Sequence, residues 1–437
     1  MREVDRELKT ETMRREGSGV TTKFKRILSN RSLFSLWVAQ TISQIGDYGF
    51  NVALLWYVLE STGSIFLVAL TQAVVATPVA VIGPLAGVYV DRFNRKTMMI
   101  VSSLFQGAVV AIFALLFFGG KLTFEEIITL VFLLFSGQQF FVGALNAYVP
   151  KAVDPDDLAA ANALFSLSNV SNQFLGYVFG GIIVSLFGVS LIIGYDCISF
   201  FIGAALLLGC SSAYGMIAGT SSVSESLQKP FLKYSSNFIS DFKKGVSYIR
   251  NSSVMLEIMV VGIVLTFFAD GLVALLPAYA QYQLNGNSVI YGLVLAAAVI
   301  GGIIGSVIFG SVESRHYLGK IFVLCTALSG LATLALGLTS SAVIAFLVAI
   351  VMGGSYFVAN VCVQVFVQGT VPGPLLGRVY TVLFGILNIF APIGAIMSGV
   401  FSGYISPGQI FALYGVGVFC VGVLMVLAFG KLRNAKY

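Results

Sequence analysis

About twelve apolar runs, each long enough to cross a bilayer, follow one another through the chain with only short polar breaks between them. A run of roughly 20 apolar residues spans the hydrocarbon core as a helix. Lipid offers no hydrogen-bonding partners, so every spanning segment must satisfy its own backbone groups, and uninterrupted apolar runs do so as helices. The runs lie at Leu33–Leu59, Ile65–Val90, Thr97–Phe118, Phe124–Val149, Leu158–Phe187 and Ser190–Ser211, then at Val254–Gln283, Ser288–Gly310, Gly319–Leu338, Ser341–Gln368, Leu375–Ile405 and Gly408–Gly430. They consume most of the 437 residues and leave no room for a large soluble domain. Composition agrees: 57% of the residues are hydrophobic and 10% charged, with a mean hydropathy of +0.94, far from globular usage. The expected fold class is an all-α integral membrane protein.

Lysine and arginine positions orient it. Every one of them except Lys121 falls on the side that also holds both termini, and positive loops face the cytoplasm. A multi-pass protein of the cell membrane with both ends cytoplasmic is expected. The chain then divides into a cytoplasmic tail over 1–31, a six-helix bundle over 32–211, a connector over 212–252, a second bundle over 253–430 and a short tail over 431–437. Lys23–Arg31 alternates Phe24, Ile27 and Leu28 with basic residues, as a helix at the headgroup level would. In the connector Phe231, Phe238, Phe242, Val246 and Ile249 recur at helical spacing among basic residues, predicting an amphipathic helix on the same face.

Polar residues inside the runs stand out because they are costly there. Asp47, Asp196 and Asp270 are carboxylates within predicted spans. A desolvated carboxylate favours its protonated form, and water or a substrate cation favours release of the proton, so these are candidate proton-coupling residues. A buried aspartate satisfied by nearby hydroxyls or amides is the other reading, strongest for Asp196. Gln40, Gln44, Asp47 and Asn51 fall at steps of four, three and four, on one face of the first helix. Gln138, Gln139 and Asn146 on the fourth run, Asn169 and Gln173 on the fifth, and Asn360 and Gln364 on the tenth extend the list of candidate cavity residues. Hydrogen bonding between helices accounts for such amides equally well. Five cysteines without a Cys-x-x-Cys pair and one histidine, His316, suggest neither a disulfide framework nor a metal site.

The loop Gly83–Lys96 carries Gly87, Asp91, Arg92, Arg95 and Lys96 between two apolar runs. This pattern resembles the signature loop between the second and third helices of the major facilitator superfamily. Trp37, Gln40, Ser43, Gly46, Asp47, Thr62-Gly63-Ser64, Val149-Pro150, Ala161–Leu164 and Gly377-Arg378-Val379 are similar to the branch of macrolide-efflux and enterobactin-export proteins. The resemblance implies twelve transmembrane helices in two pseudo-symmetric six-helix bundles, with the first, fourth, seventh and tenth lining a central cavity. It also implies a cytoplasmic gate in which Asp91 meets the start of the eleventh helix near Arg378. Gly176, Gly180 and Gly181 resemble a fifth-helix motif of antiporters, although Tyr177 stands where that motif has proline.

The expected function is secondary active export of a small amphiphilic molecule, drug-, macrolide- or siderophore-like, by alternating access and proton antiport. An uncoupled facilitator or importer is the alternative within transport. A receptor or enzyme is disfavoured: no zinc motif, phosphate-binding glycine loop or serine–histidine pairing is present in the sequence. No cofactor is expected beyond a proton gradient, no nucleic-acid partner, and a monomer in the bilayer.

Overall fold

The structure, a computed structural model, describes residues 20–90, 92–209, 242–311 and 317–427. Those residues form helices and no strands. The N-terminal half contains α1 (Val20–Ser29), α2 (Arg31–Thr62), α3 (Ile65–Val81), α4 (Gly83–Val90), α5 (Arg95–Phe118), α6 (Phe124–Ala152), α7 (Leu158–Phe187) and α8 (Val189–Leu208). The C-terminal half contains α9 (242–251), α10 (Ser253–Ala278), α11 (Ser288–Ser311), α12 (Leu318–Leu338), α13 (Ala342–Thr370), α14 (Gly373–Phe401) and α15 (Pro407–Leu427). Eleven spans in the described residues are long and apolar enough to cross a membrane, with α3 and α4 counted as one. The twelfth is α2, which has 32 residues and whose apolarity is diluted by Gln40, Gln44, Asp47 and Asn51.

Local chemistry sets where the helices start and stop. Asn30 caps α2 by accepting from the backbone N–H groups of Ser32 and Leu33, and Gly63 ends that helix in the left-handed region at φ 64°. Thr123 and Glu126 close a reciprocal capping box at the start of α6; such caps each contribute about 1 kcal/mol. Pro78 lies near the end of α3, which gives way at Ile82 to the short α4, and Asn94 then caps α5.

The same helix pairs recur in both halves. In the first, α2 packs on α7, α5 on α8 and the α3–α4 segment on α6; in the second, α10 packs on α14, α12 on α15 and α11 on α13. These are equivalent pairs in two sets of six spans, the arrangement of the major facilitator fold. Contact between the halves is symmetric too, through α3 with α14 and α7 with α11. It lies at the end away from the Gly83–Lys96 loop. There Asn287 Nδ2 donates to Ser185 Oγ at 3.2 Å, Trp56 stacks on Tyr291 with ring centroids 6.2 Å apart, and Gly399 packs on Ala69 and Phe66.

Each half is also held by a short helix before its first span. On α1, Ile27 is buried, Arg26 pairs with Asp157 in the turn between α6 and α7, and Lys23 Nζ donates to the Asp156 carbonyl at 3.5 Å. The hydrogen bond that the Arg26 guanidinium donates to Asp157 holds it above its ordinary pKa, against a smaller opposing effect of desolvation. On α9, Ile249 is buried, Tyr248 Oη donates to the Thr370 carbonyl at 2.9 Å, and Gly245 lies against the Arg378 carbonyl. Both helices therefore rest on the connection between the fourth and fifth spans of their own half. The part of the predicted connector helix before residue 242 lies outside the described residues.

Candidate transport site

The first-helix stripe builds a polar interior. Gln40, Gln44 and Asp47 line a pocket of about 30 Å³ together with Ser43, Ser103, Gln106 and Gln138. Gln138 Nε2 donates to Asp47 Oδ2 at 3.3 Å, which joins the first and fourth spans. Asn172 Nδ2 donates to Gln44 Oε1 at 3.0 Å, and Tyr48 Oη donates to Asn169 Oδ1 at 3.1 Å, tying α7 to the same face. Asn51 is partly buried on the same helix but does not line this pocket.

A second cavity, of about 340 Å³, lies at the boundary of the halves and runs into the C-terminal bundle. Its wall is apolar: Leu272, Leu276, Val299, Phe357 and Phe411 are representative, and no charged side chain takes part among the described residues. The few polar groups include Gln173 and Tyr177 from α7 and Tyr356 from α13. Gln173 Nε2 donates to Tyr177 Oη at 3.2 Å, and the Tyr177 ring meets Tyr48 edge-on at 5.4 Å. Such a volume and lining suit a drug-sized apolar group with a few oriented polar contacts.

Asp270, on the helix equivalent to that of Asp47, lines neither of these two cavities. Asp270 lies where α10 faces α3, beside the side chain of Gln72. Beside it, Ala69, Ala73, Ala274 and Ala395 form a small buried cluster drawn from both halves. Asp196, on α8, is fully buried.

Of the other predicted cavity residues, two bond within their own helices and two are exposed. Gln139 Nε2 donates to the Phe135 carbonyl and Asn360 Nδ2 to the Tyr356 carbonyl, both within their own helices. Gln364 is exposed and its backbone carbonyl accepts from Tyr380 Oη at 3.5 Å; Asn146 is exposed. The glycines of the fifth-helix motif divide between two interfaces. Gly176 and Gly180 let α7 close on α2, where an added Cβ at 180 would lie 2.8 Å from Gly49 Cα. Gly181 serves the contact between halves: its Cβ would lie 2.5 Å from the Ser288 carbonyl, and Gly292 meets the Tyr177 carbonyl in return.

At the loop, Asp91 lies outside the described residues. The flanking residues hold to the N-terminal half: Val90 packs toward Gly143 of α6, and Lys96 Nζ donates to the Leu208 carbonyl at the end of α8 at 3.4 Å. Gly87 faces open space and Arg92 is exposed, while Arg95 keeps Nε buried. Arg378 is partly buried, with its main chain against Gly245.

Residues 26–436 match the family model described as transmembrane secretion effector. The chain belongs to this family. It is 26% identical over 401 residues to macrolide efflux protein A of Streptococcus pyogenes, covering 90% of this chain and 94% of that one. It is 25% identical to the uncharacterized MFS-type transporter YvqJ of Bacillus subtilis, covering 93% and 94%, and 23% identical to the putative bacilysin exporter BacE of the same organism, covering 86% and 90%. Among solved structures, it superposes on a bacterial homologue of the iron transporter ferroportin in an inward-facing state with a TM-score of 0.68 at 14% identity, covering 92% of this chain and 98% of that one. A bacterial homologue of the lysosomal transporter Spinster, also inward-facing, gives a TM-score of 0.63 at 13% identity, covering 93% and 97%. At these identities the structures establish the fold. The chain is thus an efflux-type transporter of the major facilitator superfamily and a multi-pass membrane protein, not an enzyme.

Within this transporter, sequence reading passed over Tyr48, Gln72 and Gln106. Gln72 and Gln106 were detectable as single buried amides inside otherwise apolar runs. Tyr48 had no such signal, since tyrosine is common throughout the chain.

Proposed function

We propose that this protein exports a small amphiphilic molecule across the cell membrane in exchange for protons. The observation that carries the reading is the unlike pair of cavities: a polar, carboxylate-bearing pocket in the first half and a larger apolar one reaching into the second. An amphiphile places its apolar body against Leu272, Val299 and Phe357, and its polar groups toward Tyr177, Gln173 and Tyr356. Relatives whose names give macrolides and bacilysin as cargo support export of a drug- or antibiotic-like molecule.

Positive-inside counting supports cytoplasmic termini. With that orientation the contacts of Ser185 with Asn287 and of Trp56 with Tyr291 close the outer end, so the structure corresponds to an inward-facing state. Export then requires the halves to rock about the site, separating α7 from α11 and α3 from α14 while the Asp91 loop docks near Arg378. Protons drive the cycle through Asp47 and Asp270. Asp47 precedes Tyr48, whose ring meets Tyr177 of the apolar cavity; Asp270 faces Gln72 across the boundary that must open, so its protonation state biases the two arrangements.

The test uses purified protein in liposomes with a pH-sensitive dye inside, challenged with lipophilic cations, macrolides and catecholate siderophores under an imposed pH gradient. Substrate-dependent proton movement that disappears in Asp47→Asn or Asp270→Asn supports antiport. Substrate flux with no proton movement, unaffected in both variants, replaces it with a facilitator.

A further inference from the structure

The polar pocket of the first half holds an excess of hydrogen-bond acceptors. Gln40 is 5% exposed and lines the pocket beside Asp47, and its Oε1 has no hydrogen-bond partner. Asp196 is 0% exposed, and neither carboxylate oxygen has a partner. It reaches the same region from α8. Its Oδ1 packs onto α2 at Gly46, the residue before Asp47, only 2.5 Å from where a Cβ would stand. Phe200, one turn along α8 on the same face, lines the pocket. Ser43, also in the lining, donates to the carbonyl of Ser199 at 3.4 Å.

Charge sharpens the picture. Among the described residues, the charged group acting on Asp196 is Asp47, and the other titratable groups within electrostatic reach of the two are Tyr48, Tyr195 and Cys197. None of these supplies positive charge. Two ionised carboxylates buried together in a membrane protein are mutually repelled and poorly solvated. A single positive charge shared by them removes the conflict, and the pocket of about 30 Å³ that Asp47 lines, next to Gly46 on which Asp196 packs, has room for one water-sized particle.

We propose that Asp47 and Asp196 together form a binding site for one monovalent cation, with Gln40 Oε1 as a neutral ligand. The bound species is either a proton shared by the carboxylates or a sodium ion; both satisfy the same acceptors. This rests on the chain being a transporter but not on proton antiport. It deepens the role proposed for Asp47 by placing a bound ion on the pair across α2 and α8, and leaves Asp270 to act separately at the boundary between the halves.

The full-length protein in detergent, without substrate, tests it by thermal unfolding. Sodium chloride is titrated against choline chloride at constant ionic strength, at acidic and at alkaline pH, for the wild type and for Asp47→Asn, Asp196→Asn and Asp270→Asn. For a sodium site, the unfolding temperature of the wild type rises with sodium at alkaline pH; for a proton site, it rises on acidification in choline alone. Either rise is lost in Asp47→Asn and in Asp196→Asn and retained in Asp270→Asn. A rise that persists in Asp196→Asn, or no rise with either cation, overturns the proposal. Should Asp196→Asn fail to fold, Gln40→Leu serves instead: half-saturation moves to at least about tenfold higher cation concentration, equivalent to about 1.4 kcal/mol, and an unchanged value overturns the site. Failure of the transport reading shows separately, as absence of substrate movement in liposomes.

Discussion

The two halves of the molecule pair their helices alike and fill their interiors differently. In the first, one carboxylate and the amides and hydroxyls of α2, α5 and α6 surround a small polar pocket; a wide apolar one opens at the boundary and is lined largely by helices of the second, among them α10, α11 and α13. A backbone repeat therefore fixes how the spans stack and how the halves meet. It does not fix what each half binds. On the proposed cycle, the unlike side chains would let one half handle charge and the other handle greasy surface, with the shared boundary coupling them.

That boundary offers the largest expected effect. Gly292 meets the Tyr177 carbonyl and Gly181 across α11 and α7, and overpacking a tight contact costs roughly 1–3 kcal/mol. Gly292→Val is expected to abolish transport while leaving each half folded. A Ser185→Cys, Asn287→Cys pair then crosslinks readily in the parent and poorly in the valine variant. Unchanged transport and crosslinking would mean that the closed outer end has no part in the cycle.

The polar half comes next. Asp47→Asn removes a charge but keeps the shape and the contact to Gln138. It is expected to eliminate the response of transport to the pH gradient, with ligand binding in the apolar cavity little changed, as measured by equilibrium fluorescence. In the apolar half, Val299→Trp fills part of the lining and is expected to weaken binding of a neutral lipophilic dye by about tenfold, or about 1.4 kcal/mol, leaving the pH response of residual transport intact.

The smallest effects concern the anchoring helices. Arg26 is exposed and bonded to Asp157, so Arg26→Ala is expected to lower the unfolding temperature slightly, and less in high salt. Because its pKa is raised in the folded state, the guanidinium contribution is full below the ordinary arginine value and is lost only as pH rises through the raised one. The wild-type minus variant difference should accordingly stay flat across the neutral range. Gly245→Ala acts through close packing instead: an added Cβ would lie 2.8 Å from the Arg378 carbonyl. It should destabilise more than Arg26→Ala and respond little to salt.

The fold was largely legible because membrane segments announce themselves by length and apolarity. Ile65–Val90, Phe124–Val149 and Leu158–Phe187 need little adjustment against the helices observed. The stripe of Gln40, Gln44 and Asp47 was legible for the same reason, since helical spacing alone puts these side chains on one face. The roles of Gly181 and Gly292 were not, because small residues are frequent throughout the chain and only three-dimensional contact distinguishes an interface glycine. Asp270 shows a further limit. Its place on the helix equivalent to that of Asp47 suggested a matching role, yet it faces Gln72 at the boundary, because its partner is set by how the halves dock.

The most direct test of the division between the halves measures two quantities on one set of proteins: binding of the neutral dye N-phenyl-1-naphthylamine, and proton movement during substrate transport in liposomes. Asp47→Asn should keep the dye and lose proton movement, while Val299→Trp should lose the dye and keep proton movement at the residual transport rate. Loss of both quantities together in each variant, or the opposite assignment, would contradict a polar half that handles the ion and an apolar half that handles the cargo.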